Sequence, residues 1–121
     1  MAYNVVFYED SRGQSPVSDQ LGELYKKSER NKDMRIKYGQ WAKYMDRLEE
    51  VGTRIGEPYV DHLDDGIWEL RPGRHRVLFF VEGNTIVYLH YFLKRTTKTP
   101  KREIEKAKKE REEWQRRNSK Q

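Results

Sequence analysis

The sequence predicts an α+β fold: a small antiparallel sheet in the chain order β-α-α-β-β-β-α, two N-terminal helices packed on one face, and a basic C-terminal helix. Three observations carry this. The chain opens on a run of aromatic and β-branched residues, two segments with apolar residues at helical spacing follow, and from Ile67 the apolar pattern changes to period two. Its 121 residues, 35% apolar and 37% charged, compare with roughly 45–50% and ~25% in ordinary soluble domains. Residues 1–121 are therefore read as a single domain with one small core and a densely ionic surface.

Tyr3 to Tyr8 (YNVVFY) reads as the first strand, ending at Glu9-Asp10-Ser11. Ser15 offers an N-cap and Pro16 a first turn to a helix carrying Val17, Leu21, Leu24 and Tyr25 on one side and ending near Arg30. Asp33 is the expected cap of a second helix, whose stripe Met34, Tyr38, Trp41, Met45, Leu48 and Val51 runs to Gly52–Gly56. Such a stripe is a core face rather than a cofactor pocket.

A loop is expected through Glu57-Pro58 and Asp61 to Gly66. Three strands follow, Ile67 to Arg71, Arg74 to Glu82 and Thr85 to Arg95, separated by Pro72-Gly73 and Gly83-Asn84. Thr99 as N-cap and Pro100 at the first position start a final helix over about Lys101 to Arg117, with the last few residues expected to be loose.

Alternation along strands sorts side chains by face. Trp68, Leu70, Val77, Phe79 and Val81 form an oily face against the two helices, with Glu69, Arg71, Arg74 and Arg76 on the other. A two-residue turn at Pro72-Gly73 pairs Arg71 with Arg74 and Glu69 with Arg76, although Pro-Gly favours type II geometry and a longer loop is the alternative. A type II′ turn at Gly83-Asn84 pairs Glu82 with Thr85 and sets Tyr91 opposite Arg76. It also sends Tyr88, His90 and Phe92 to the helix-packed side, so that His90 reads as structural.

Several function classes are excluded. No apolar run approaches the ~18 residues of a membrane span, and the N-terminus lacks a basic segment leading into an apolar one, so a cytoplasmic protein without membrane contact is expected. With no cysteine there is no disulfide, thiolate metal site or cysteine nucleophile. His62, His75 and His90 fit no metal-ligand spacing, and no metal or other cofactor is expected.

Charge is concentrated. Residues 71–102 hold eight cations, Arg71, Arg74, Arg76, Lys94, Arg95, Lys98, Lys101 and Arg102, against Glu82 alone, whereas residues 1–70 are net acidic. Such a segment fits a polyanion, either a nucleic acid or an acidic protein surface. Phosphodiester chemistry suits it, because guanidinium groups grip phosphate oxygens in pairs and stabilise the charge that builds at phosphorus. Like charges favour loss of a proton from a lysine among arginines, which makes Lys94 or Lys98 the expected proton acceptor. Tyr91 or a histidine is the alternative acid or base, and an exposed Tyr91 ring would also stack on a base.

The run from Ile67 to Ile104 resembles the RelE superfamily of bacterial toxins, in its HigB-type, phage-associated branch. The matching elements are W-E-L-R at Trp68 to Arg71, R-x-R-V-L at Arg74 to Leu78, and F-x-K-[KR]-x-x-K-T-P at Phe92 to Pro100. The resemblance implies a RelE-like fold and a ribosome-dependent mRNA endoribonuclease that uses the RNA 2′-hydroxyl as nucleophile and no metal. It also implies a cognate helix-turn-helix, HigA-type antitoxin. By position, Arg71 and Arg76 match the residues that hold and polarise the phosphate, and Lys94, Arg95 and Lys98 match the basic segment after the last strand. The expected catalytic set is Arg71, Arg76, Lys94 and Lys98, with Arg74, Tyr91, Arg95, Lys101 and Arg102 binding RNA. Some relatives carry a proton-transferring tyrosine just after that segment, and Thr96 to Ile104 contains none. The alternatives are a non-catalytic RNA- or ribosome-binding module and a basic docking surface for an acidic protein.

Overall fold

The computed structural model describes residues 2–119. Strand β1 (Asn4–Phe7) leads to the helical hairpin α1 (Pro16–Ser28) and α2 (Lys32–Val51). A 3-10 turn at Gly52–Ile55 precedes β2 (Val60–Asp64), β3 (Ile67–Leu70), β4 (His75–Glu82) and β5 (Thr85–Leu93), and α3 (Lys101–Asn118) closes the chain. The architecture is α+β, with a five-stranded mixed sheet in the order β1-β5-β4-β3-β2. Lys120 and Gln121, among the residues expected to be loose, lie outside the described residues.

Two departures from the expected sheet have local causes. The segment read as a loop contains β2, antiparallel to β3 through the two-residue turn Asp65-Gly66, where both φ angles are positive (51° and 79°). That is the type I′ geometry Asp-Gly favours. The sheet is also mixed rather than antiparallel, because β1 pairs in parallel with β5. The helical hairpin returns the chain so that β2 runs against β1, and three antiparallel steps from β2 then bring β5 parallel to it.

One core was expected, and there are two apolar layers. Between the sheet and α1/α2 lie Val17, Leu24, Trp41, Met45, Leu48, Leu70, Val77, Phe79 and Tyr88, with Trp68 and Val81 packed against them, as alternation required. On the other face Ile67, Leu78, Phe80, Val87 and Leu89 meet Ala107 and Trp114 of α3. β4 and β5 are apolar on both faces, which requires a second cover.

Caps differ from expectation too. Asn31 rather than Asp33 caps α2, its side chain accepting from Met34 N–H. Pro100 rather than Thr99 holds the cap position of α3. Ser15 holds the N-cap of α1 ahead of Pro16 as expected, but its hydroxyl donates to the Tyr8 carbonyl instead of accepting a capping bond. Gly52 ends α2 at φ 82°, ψ −166°, a region open essentially to glycine, with the Tyr3 ring against it.

The Glu82–Thr85 pairing holds at the turn, but a bulge in β5 moves the register beyond it. Phe79 pairs with Tyr88 and Leu78 with His90, leaving Leu89 over. One extra residue reverses every later side chain. His90 and Phe92 consequently face α3 rather than α1/α2, and Tyr91 turns under the helical hairpin, opposite Val77 and not Arg76.

Polar contacts join α3 to the sheet. His90, 2% exposed, meets Glu110 at 2.5 Å through Nδ1 and Glu103 at 3.1 Å through Nε2. Tyr8 donates to Glu113, Lys108 pairs with Asp64, and Arg111 pairs with Asp65. The Lys108 and Arg111 pairs reach exposed carboxylates, where solvent screening leaves them little stabilising effect. The buried histidine and its two carboxylates are therefore the principal polar tie.

Candidate functional site

A buried carboxylate organises one end of the sheet. Glu69 on β3 is 2% exposed and receives Arg71 Nε at 3.0 Å and Thr99 Oγ1 at 2.5 Å, while Arg76 Nε lies 3.9 Å away. It thus joins β3, β4 and the segment between β5 and α3. The register explains the grouping. Glu69 pairs with Leu78 and Leu70 with Val77, so the β3–β4 connection is longer than two residues and brings Arg71 level with Arg76. Glu69, Arg71 and Arg76 share a face as alternation required, while the pairings of Arg71 with Arg74 and of Glu69 with Arg76 are replaced by a two-residue shift.

Arg76 is 9% exposed. Its Nη1 donates to the carbonyls of Gly73 (3.1 Å) and His75 (2.8 Å). Its Nε has no acceptor, since 3.9 Å to Glu69 gives charge attraction but no hydrogen bond. Nη2 makes no bond among the described residues, and it is not sealed in. Burial lowers the affinity of this guanidinium for its proton, Glu69 opposes that, and Arg71 adds to it. Arginine nevertheless stays charged, so the protein maintains a buried cation with one nitrogen open.

Arg71 is more fully neutralised than its sequence neighbourhood implied. Besides Glu69 it binds Asp61 through Nη2 at 3.1 Å, and Asp61 comes from β2, the strand read as a loop. The other cations differ. Among the described residues Arg74, Lys94, Arg95, Lys98 and Lys101 have no ion pair, and Arg102 has only Glu103 at 3.9 Å. Lys94 N–H donates to the Arg74 carbonyl at 2.8 Å, which sets those two residues side by side. Arg95 and Arg102 border a cleft of about 260 Å³ with Phe92, Thr96, Pro100 and Glu103. Arg74 borders a larger one between α2 and the β3–β4 loop.

Tyr91 does not join this group. Its ring packs edge-on to Trp41 and its hydroxyl donates to Gln20 on α1, so stacking on a base from the cationic face is corrected to a packing role. Burial raises the phenol above its ordinary value. Of the histidines, His90 is sealed beneath α3, His62 accepts from Gly66 N–H, and His75 is half-buried at the larger cleft. Among the described residues no group of three His, Asp or Glu side chains is placed to hold a metal ion, and no helix is long and apolar enough to cross a membrane.

Sequence reasoning missed Thr99 as the donor to Glu69 and Asp61 as the second partner of Arg71. The Asp65-Gly66 pair was the available signal for Asp61, since it marks a hairpin whose first strand carries that residue.

The arrangement is thus an arginine pair grouped around one buried carboxylate, beside a run of cations most of which have no ion pair among the described residues. Such a group binds phosphate and stabilises charge developing on it. Residues 21–112 match the family model described as phage derived protein Gp49-like (DUF891). No curated protein matches the chain.

Proposed function

The chain belongs to the phage-derived Gp49-like family, which is associated with RelE-type, toxin-like proteins, and on that footing we propose that it is a HigB-type toxin that cuts mRNA on translating ribosomes. The observation that supports this best is Arg76, a buried guanidinium with Nη2 open, near Lys94, Arg95 and Lys98, which have no ion pair among the described residues. In this reading the 2′-hydroxyl adjoining the scissile phosphate attacks phosphorus. The 2′-hydroxyl gives its proton to one lysine as the P–O2′ bond closes a 2′,3′-cyclic phosphate, the P–O5′ bond breaks, and the departing O5′ takes up a proton from the other.

Arg76 Nη2 grips a non-bridging oxygen and stabilises the added charge. Arg71 acts mainly through Glu69, which keeps both guanidinium groups in place. Lys94 and Lys98 are the proton-transfer groups, and Arg74, Arg95, Lys101 and Arg102 carry the flanking phosphates. A toxin-like family implies an antitoxin, here one of helix-turn-helix, HigA type, and the activity belongs in the cytoplasm with the ribosomes.

The neutralisation of Arg71 by Glu69 and Asp61 favours a second reading, a ribosome- or RNA-binding module without turnover. Primer extension on mRNA in a purified translation system separates the two. The toxin reading expects new 5′ ends inside the coding sequence only when ribosomes are engaged. Intact mRNA carrying bound protein would establish the binding module instead.

A further inference from the structure

The larger cleft, about 530 Å³, lies between α2 and the β3–β4 loop, and the phosphate chemistry above does not use it. We propose that it is a nucleobase pocket, holding one unstacked base of a single-stranded RNA whose backbone crosses Arg74 and Lys94. This rests on the reading of the protein as RNA-binding and adds the place where a base is held.

Four features point to a base. Only three large apolar side chains are strongly exposed among the described residues, and two of them, Ile36 (53%) and Leu93 (43%), rim this cleft from α2 and β5, Leu93 bordering the smaller cleft as well. Exposed apolar groups gathered at one site mark binding surfaces more often than chance placement. The inner wall is the half-buried His75 ring, backed edge-on by the fully buried Trp41 at 5.3 Å between ring centres. Burial, then Lys37 and Arg76, holds the His75 imidazole below its ordinary value, so at neutral pH the wall presents an uncharged ring with one donor and one acceptor.

Gln40 adds a side-chain amide with no hydrogen bond among the described residues, again pairing donor with acceptor as a base edge requires. Lys37 and Arg74 lie at the border with no ion pair among the described residues, against Asp33, which places positive charge where phosphates would flank the base. Gly73 connects the two sites, because its carbonyl accepts from Arg76 while its backbone lines the cleft. A strand crossing this loop meets Arg74 with a phosphate and the cleft with a base. Unstacked bases held against rings and apolar walls are the usual mode of single-strand recognition.

Nuclear magnetic resonance of the isotope-labelled full chain tests this, following the Trp41 indole N–H, the His75 ring and the Gln40 amide. The probes are the four nucleoside 5′-monophosphates, ribose 5-phosphate, and N-acetyl-leucine amide as a mimic of an apolar protein side chain. At least one nucleotide is expected to shift these signals saturably, while ribose 5-phosphate moves only residues near Arg74 and Lys94. Ile36→Glu is expected to weaken the nucleotide at least tenfold, with Arg116→Glu as the matched surface control. Equal shifts from ribose 5-phosphate, shifts from the leucine amide alone, or no shifts would each overturn the pocket. Lys98→Ala, which removes a proposed proton-transfer group that does not line the cleft, is expected to keep the nucleotide shifts while losing mRNA cleavage, so failure of the pocket and failure of the nuclease reading are separately visible.

Discussion

Thr99 Oγ1 donates to Glu69 Oε1 across thirty residues of sequence, and the same carboxylate receives Arg71 through its other oxygen. The segment carrying Lys94, Arg95 and Lys98 is thereby tied to the arginine pair rather than left as a free loop. Carboxylate and guanidinium groups have both left water here, and the arrangement is stable only while each is answered.

Removal of Glu69 is therefore costly. Glu69→Ala is expected to destabilise the fold by about 3–5 kcal/mol, the range for a buried pair that loses one partner. Glu69→Gln, which still accepts from Thr99, is expected to lose less. Urea unfolding midpoints check both, and an alanine variant as stable as the wild type would show that Glu69 does not organise this end of the sheet.

His90 is expected to behave similarly on the far face. Its replacement by alanine leaves Glu103 and Glu110 without their shared partner beneath α3, with an expected loss of about 1–3 kcal/mol for each buried polar group left unanswered. Lys108→Ala removes only exposed pairs and is expected to cost far less. Comparable losses for the two variants would contradict the ranking of these contacts.

Much of this was legible. The alternation in Arg74 to Glu82 placed Val77, Phe79 and Val81 against the helices, where they are. The β5 bulge was not, because Leu89 and His90 enter one face together and a single inserted residue leaves no mark on the apolar pattern. The error passed to Tyr91, which consequently looked available to RNA. Thr99 fitted a helix cap locally, and its actual partner lies thirty residues away, beyond any window of periodicity. Arg71, Arg76 and the basic segment were recognisable from residue type, but the carboxylates that modify them depended on strand register.

Acid should weaken the fold through His75. Its imidazole is held below the ordinary value, first by burial and then by Lys37 and Arg76, so the unfolded chain binds the proton more readily. The contribution is complete above the unfolded value of about 6.5 and is lost as pH falls through it towards the folded value. The urea midpoint of the wild type is expected to decline more steeply than that of His75→Phe between about pH 7 and pH 5. Parallel declines would show that His75 titrates alike in both states.

The cations with no ion pair among the described residues make a salt prediction. Lys94→Ala, Arg95→Ala and Lys98→Ala should each weaken single-stranded RNA binding and reduce the slope of log affinity against log salt by about 0.7 per lost phosphate contact. Arg116→Ala, near the opposite end of α3, should leave the slope unchanged. Equal slopes throughout would place the RNA elsewhere.

The most direct measurement is single-turnover cleavage of ribosome-bound mRNA by wild type and Arg76→Ala, with ribosome binding followed in parallel. Loss of one preorganised donor to the developing charge typically costs about 10²–10³ in rate. The expected result is a cleavage rate lower by roughly that factor and only a modest fall in ribosome binding. An Arg76→Ala protein that folds, binds ribosomes and cuts at the wild-type rate would contradict the assignment of Arg76 to the phosphate.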